Sequence, residues 1–365
     1  MRNVEWLNQV REDIVDPERE ICDPHHHLWD HPGSRYLLDD VLADLTGGTD
    51  VVDRDAAGAS RHRVTSTVFV ECAAMYRADA TVAMAPIGET EFVQGIAAMS
   101  ASGGYGPCRV AAGIVGFADL TRGPAVREVL DGHLGVAPTR FKGVRHAAGW
   151  DASDEVRNSH TRPDEHLMRR DDFHQGVGVL GELGLSFDAW CYHPQLADLV
   201  ELARAHPEVT IVVDHLGGPL GIGPYAGRAD EVFEIWQEAI APLGALANVS
   251  CKLGGINMKL NGHGWHERAT PPTSDELVDR TGRYYEHCLD VFGADRCMFE
   301  SNFPVDRESV SYPVLWNAFK KLAASRTDAE QQSLFAGTAQ RVYRLDDGSV
   351  GPAADALGPA GSAPR

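Results

Sequence analysis

Long apolar runs are missing from this chain: nowhere do its 365 residues approach the roughly 18 consecutive apolar side chains that cross a bilayer. The opening stretch, MRNVEWLNQVREDIVDPERE, is charged throughout and carries no apolar segment of the signal-peptide kind, so a soluble, cytoplasmic protein is expected. Positive charge is in short supply, with 33 Lys and Arg against 53 Asp and Glu and a formal charge of −20. That balance disfavours nucleic acid and anionic membrane surfaces as partners. Cysteines show no paired pattern. Cys22, Cys72, Cys108, Cys191, Cys251, Cys288 and Cys297 are odd in number, form no C-x-x-C and sit mostly in apolar runs such as VFVECAA. Reduced, buried thiols are expected rather than a zinc knuckle or a disulfide framework. Neither a Walker-type loop nor a G-x-G-x-x-G between strand and helix is found, which argues against a nucleotide cofactor.

What the chain does have is a regular alternation. Short runs rich in Val, Ile and Phe recur at 19–23, 64–71, 109–117, 140–146, 185–190, 209–215, 248–253 and 296–300, and helix-like stretches lie between several of them. Pro194 suits a first helical position and Ser274 an N-cap. Eight such units predict an α/β chain folded as a (β/α)8 TIM barrel. Three connections, 28–63, 147–168 and 254–273, are too long for simple turns and are expected to cap the C-terminal face. The last carries His263, Trp265 and His266 among glycines, which fits either a mobile cap or a surface insertion. One barrel domain over 1–346 is expected, followed by a Gly/Ala/Pro-rich tail at 347–365 without periodicity, read as disordered or loosely packed.

Several predicted strands end in ionisable or polar residues, and in a barrel those ends converge on the active-site face. DPHHHLWD at 23–30 places His25 and His27 on one side of a strand and His26 on the other. Two imidazoles so arranged chelate a divalent metal or flank an oxyanion. VVDHLGGP at 212–219 brings Asp214 and His215 to a strand end before paired glycines. Alternation in RFKGVRH puts Arg145 and His146 on opposite faces, and one of them is expected to join Lys252 in binding a carboxylate or lactone carbonyl. Trp190 and His193 close the fifth strand, where they would contact a ring-shaped substrate, and Glu71 closes the second.

DPHHHLWD, VVDHLGGP and MFESNFPVD (298–306), in that order and spacing, resemble the amidohydrolase-related lactonase family, which includes pyrone-dicarboxylate, sulfomuconolactone and sugar-lactone hydrolases on a (β/α)8 barrel. AGTAQRVYRL at 336–345 is similar to the family's last helix. The resemblance implies His25 and His27 as the first-strand pair and His215 as the sixth-strand histidine. It also implies a last-strand aspartate that is the general base, and a ligand in members that bind metal. Here that string reads Glu300-Ser301-Asn302, and Asn302 carries no titratable carboxylate. A neighbour, Glu300, Asp306 or Glu71, then supplies the base, or the chemistry departs from ordinary hydrolysis.

The expectation is a hydrolase that opens a lactone or related cyclic ester of a small carboxylic acid. His25, His27, His215, Glu71, Glu300 and Asn302 form its catalytic set, with Arg145, His146, Trp190, His193 and Lys252 around the substrate. Zinc or manganese on His25, His27 and His215 stands as an open alternative to a metal-free site. A decarboxylating lyase and a non-catalytic binding barrel are the competing readings. The expected partner is a small anionic cyclic molecule, and homo-oligomerisation is left open.

Overall fold

A computed structural model describes residues 4–47 and 61–345 of the chain, so the 347–365 tail lies outside the described residues. Eight strands, β1 (Glu20–His26), β2 (Arg63–Val70), β3 (Arg109–Gly116), β4 (Phe141–Arg145), β5 (Ser186–Ala189), β6 (Ile211–Val213), β7 (Val249–Leu253) and β8 (Cys297–Phe299), pair in chain order, every pair parallel. Helices follow them in turn: α1 (Leu38–Leu45), α2 (Ile87–Ala101), α3 (Val126–Val136), α4 (Asp171–Leu183), α5 (Leu196–Ala205), α6 (Ala229–Gly244), α7 (Ser274–Phe292) and α8 (Tyr312–Leu322). This is the expected (β/α)8 barrel, nearly closed. Between β8 and β1 no ladder forms; the loop after β8 spans the seam instead, with Asn302 N–H donating to the His25 carbonyl (2.9 Å) and His27 N–H to that of Phe303 (2.8 Å). Asp23 of β1 clips the same seam by accepting from Ser301 N–H (2.9 Å) and the Tyr312 hydroxyl (3.0 Å).

The helices bury their apolar stripes against the outside of the barrel. In α7 the stripe is Leu277, Thr281, Tyr284, Cys288 and Phe292, spaced three or four apart. Its cap is Thr273 rather than the expected Ser274. The Thr273 hydroxyl accepts from Glu276 N–H (3.2 Å) and the Glu276 carboxylate accepts from Thr273 N–H (2.8 Å), whereas Ser274 donates its hydroxyl to Glu12 (2.5 Å). A G-x-G-x-x-G spacing does occur at 176–181, but wholly inside α4. There a Cβ on Gly176 would stand 2.2 Å from the Leu120 carbonyl oxygen, so packing explains that glycine. A second apolar layer fills the barrel floor, where Cys22, Val68, Val115, Val212 and Met298 meet Ala339, Val342, Tyr343 and Leu345 of the last helical segment (Thr338–Val342) and its end. All seven cysteines are free, six of them buried. No helix among the described residues is long and apolar enough to cross a membrane.

Candidate active site

His25, Arg145, Asp188, Asp214, Lys252 and Glu300 come from six different strands or strand ends and touch one another, which places their side chains inside the barrel. His25 Nδ1 faces Glu300 Oε2 at 2.8 Å and the Lys252 ammonium at 3.2 Å, while its Nε2 lies 3.4 Å from an Arg145 nitrogen. His215 Nδ1 donates to Glu300 Oε1 at 2.6 Å, and the His215 backbone N–H reaches the same oxygen at 3.2 Å. That pins the imidazole tautomer and leaves His215 Nε2 with its lone pair. His27 is held in the same sense, its Nδ1 on the Val70 carbonyl at 2.8 Å. His26 points the other way, to the Thr67 hydroxyl at 2.8 Å.

The backbone is bent to make this possible. His215, Leu216, Gly217 and Gly218 all have left-handed φ, from 53° to 70°, an unusual run that costs roughly 1–3 kcal/mol at each non-glycine residue. Gly255, with φ 64°, passes directly over His215: a Cβ there would stand 2.1 Å from Nδ1.

Electrostatics set the protonation states. Burial alone would raise the Glu300 carboxyl, but His215 and His25 hold it down to about 2. Burial likewise opposes ionisation of Glu71, which Arg145 and His160 bring down to about 2. Burial first, then Lys252, drives His25 well below the ordinary imidazole value. Burial would lower Lys252, yet Asp188, Asp214 and Glu300 raise it above the ordinary lysine range.

The predicted residues divide into two groups. His25, His27, His215, Glu71, Glu300, Arg145 and Lys252 gather at the mouth, and Trp190 stands edge-on to His215 with ring centroids 4.7 Å apart. His146 and His193 do not join them. His146 packs against Phe117 and Phe173 and accepts the Leu120 N–H (3.2 Å), while His193 accepts the Leu220 N–H (3.3 Å) and packs on Tyr225. Asn302, at φ 55°, turns its amide to Asp306 Oδ1 (3.0 Å). Lys252 is ringed by Asp188 Oδ2 (2.8 Å), Asp214 Oδ1 (3.0 Å) and His25 Nδ1 (3.2 Å), so its charge is directed at residues of the chain rather than at an open space. The long 254–273 loop turns His263 to Arg280 and Trp265 under Arg268, away from the centre.

Three participants escaped the sequence reading. Asp188 signals itself only as a lone carboxylate in the strand LSFDAW, and Tyr343 donates to it at 2.6 Å from the barrel floor. His160, on the 147–168 connection, reaches Glu71 Oε2 at 3.1 Å, a contact that no local pattern announces.

Residues 22–345 match the family model described as Amidohydrolase. The chain belongs to that amidohydrolase family. It is an amidohydrolase-related hydrolase by descent, with relatives named as lactonases. One is the L-fucono-1,5-lactonase of Burkholderia multivorans, 29% identical over 89% of this chain and 96% of that one. Uncharacterized protein y4mH of Sinorhizobium fredii is 32% identical over 89% of this chain and 98% of its own. Among solved structures, an amidohydrolase from Burkholderia multivorans superposes with a TM-score of 0.67 at 24% identity, covering 89% of this chain and 99% of that one, which shows the shared fold.

This amidohydrolase has the residues for a divalent cation. Among the described residues, His25, Asp214 and His215 are grouped with one ligand atom each, all within 4.8 Å of one another. His27, expected as a ligand, is not in that group. Lys252 stands 3.0 Å from Asp214 Oδ1 and His25 Nδ1 2.8 Å from Glu300 Oε2, but neither Asp214 oxygen nor Glu300 Oε2 has a well-aligned hydrogen bond, which leaves these buried carboxylates with lone pairs that a cation would use. Four buried carboxylates, Glu71, Asp188, Asp214 and Glu300, face two fixed cations, Arg145 and Lys252, so the charge balance also accommodates a divalent ion.

Proposed function

We propose that this protein hydrolyses a lactone or related cyclic ester of a small carboxylic acid. The observation that carries the reading is Glu300: it stands two residues before the uncharged Asn302, engages His215 through Oε1, and sets Oε2 2.8 Å from His25 Nδ1 without a well-aligned hydrogen bond. A carboxylate so placed is the proton acceptor that Asn302 cannot be. The lactonase name of the 29%-identical Burkholderia multivorans relative supports a cyclic ester as substrate.

In this reading Glu300 Oε2 takes the proton of the attacking water and returns it to the alkoxide released when the ring opens. His215, fixed through Nδ1, and His27, fixed on Val70, present lone pairs toward the reacting group. Arg145, anchored by Glu71 through Nε (2.7 Å), offers its remaining nitrogen to the carbonyl oxygen as negative charge develops there. Trp190 forms one wall of the ring's berth. Lys252 works from beneath, as counter-ion to Asp214 and Asp188. A divalent metal fits on His25, Asp214 and His215, and when bound it would polarise the carbonyl and acidify water. A structural relative solved with bound zinc makes zinc the first ion to assay.

The test is a panel of sugar and dicarboxylate lactones, followed by acid release in a pH-indicator assay. Glu300→Gln is expected to lower kcat by about 10²–10⁴-fold while the protein stays folded. Undiminished turnover in that variant, or no turnover of any lactone by the wild type, overturns the reading.

A further inference from the structure

From the floor of the barrel a polar chain rises to the candidate site, and no step of the proposed reaction passes through its lower members, Tyr343 and Asp188. Tyr343 lies just past the last helical segment, fully buried, and donates its hydroxyl to Asp188 Oδ2 at 2.6 Å. The same oxygen accepts from Lys252 Nζ at 2.8 Å, and the ammonium continues to Asp214 Oδ1 at 3.0 Å and His25 Nδ1 at 3.2 Å. Its nitrogen also stands 5.5 Å from the centre of the Tyr343 ring, within cation–π range. The other oxygen of Asp188 accepts from Ser186 Oγ at 3.2 Å, so the carboxylate cannot swing without losing a partner.

A lysine side chain has several rotatable bonds and three protons. Inside a barrel it stays where a ring of acceptors holds it. Here one of those acceptors is itself oriented by a residue from the far end of the chain. Ala336, Ala339, Val342 and Leu345 fix that residue in the apolar floor beside Val68, Val115 and Met298.

We propose that Tyr343 is a positioning residue: through Asp188 it fixes the Lys252 ammonium, and through Lys252 it sets His25 and Asp214 for catalysis. The C-terminal segment is therefore part of the active site's support, although it touches no substrate. The effect on turnover rests on the proposed hydrolytic reading; the effect on Lys252 does not.

The test is Tyr343→Phe, which keeps the ring and removes the hydroxyl. In protein labelled with 15N-lysine, the buried ammonium ringed by Asp188, Asp214 and His25 is expected to give a slowly exchanging resonance that Lys252→Met abolishes. Tyr343→Phe is expected to shift or broaden it, with the melting temperature nearly unchanged. On a lactone that the wild type hydrolyses, the same variant is expected to lose kcat about tenfold, the worth of one such hydrogen bond, at unchanged KM. In the Lys252→Met background, Tyr343→Phe is expected to have no further effect. An ammonium resonance identical to wild type, or kcat losses that multiply in the double variant, overturns the proposal. If the wild type opens no lactone, the hydrolytic reading has failed and the resonance alone judges the support. If Tyr343→Phe does not fold, Asp188→Asn is read by the same resonance with the same expected shift.

Discussion

Asn302 shows how much one residue's surroundings matter. Placing at 302 the carboxylate that the family resemblance implies, by Asn302→Asp, looks like a repair on paper. In the fold it sets a second carboxylate 3.0 Å from Asp306, whose own carboxyl burial already pushes up to about 7. Two such groups cannot both ionise there. Asn302→Asp is expected to cost about 3 kcal/mol of stability and to bring no gain in turnover, as urea denaturation and the lactone assay would show. A more active, equally stable variant would mean that Asn302, not Glu300, marks the place of the proton acceptor. The sequence could not choose among Glu300, Asp306 and Glu71 because all three lie near strand ends. Geometry separates them: both Glu71 oxygens are taken by Arg145 and His160, Asp306 serves Asn302, and Glu300 alone of the three faces two imidazoles, His215 through Oε1 and His25 through Oε2.

At the level of the element, Gly255 is where local backbone and active site meet. Any side chain at that position both occupies a left-handed conformation and strikes the His215 ring. Gly255→Ala is expected to reduce kcat by about 10²-fold through misplacement of His215, with a stability loss of about 1–3 kcal/mol. Wild-type activity in this variant would show that the His215 position is not critical. The eight strands are legible because each carries a short run of apolar residues, several of them rich in Val and Ile, and each begins and ends within a few residues of its expected place. What escaped the sequence was anything decided by contact across the chain. The hairpin of 29–31 with 34–36 is too short and polar to stand out. The cap of α7 slid by one residue because Glu12, far away in sequence, claims Ser274. His146 and Arg145 were equivalent candidates until the pleat turned one of them into the barrel and the other against Phe173.

The whole molecule carries a titrating link between its two ends. His62, just before β2, accepts from Lys320 of α8 at 2.9 Å and shares a hydrogen bond with the Pro313 carbonyl at 3.0 Å. Burial, with Lys320 adding to it, pushes His62 down to about 3. An unfolded chain takes up this proton as pH falls through about 6.5, whereas the folded one resists until far lower. Stability is therefore intact above that value and is lost as pH falls toward the folded one. His62→Gln keeps an acceptor and a donor but does not titrate. Its deficit relative to wild type is expected to narrow by about 2 kcal/mol between pH 7 and pH 5, measured by urea denaturation at both values. A deficit that stays constant with pH would show that His62 protonates equally in both states.

The seam between β8 and β1 has a kinetic meaning. Glu300 stands on one bank and His25 on the other, and the main chain crosses between them by two bonds, at Asn302 and His27, with Asp23 as the side-chain clip. A breathing motion that parts these banks separates Glu300, the proposed proton acceptor, from His25 while the remaining seven strand pairings persist. Such a barrel falls silent before it melts. The temperature at which turnover fades then reports the opening of one joint, while the calorimetric midpoint reports the whole, and exchange of the Asn302 and His27 amides with solvent deuterium marks the interval between them.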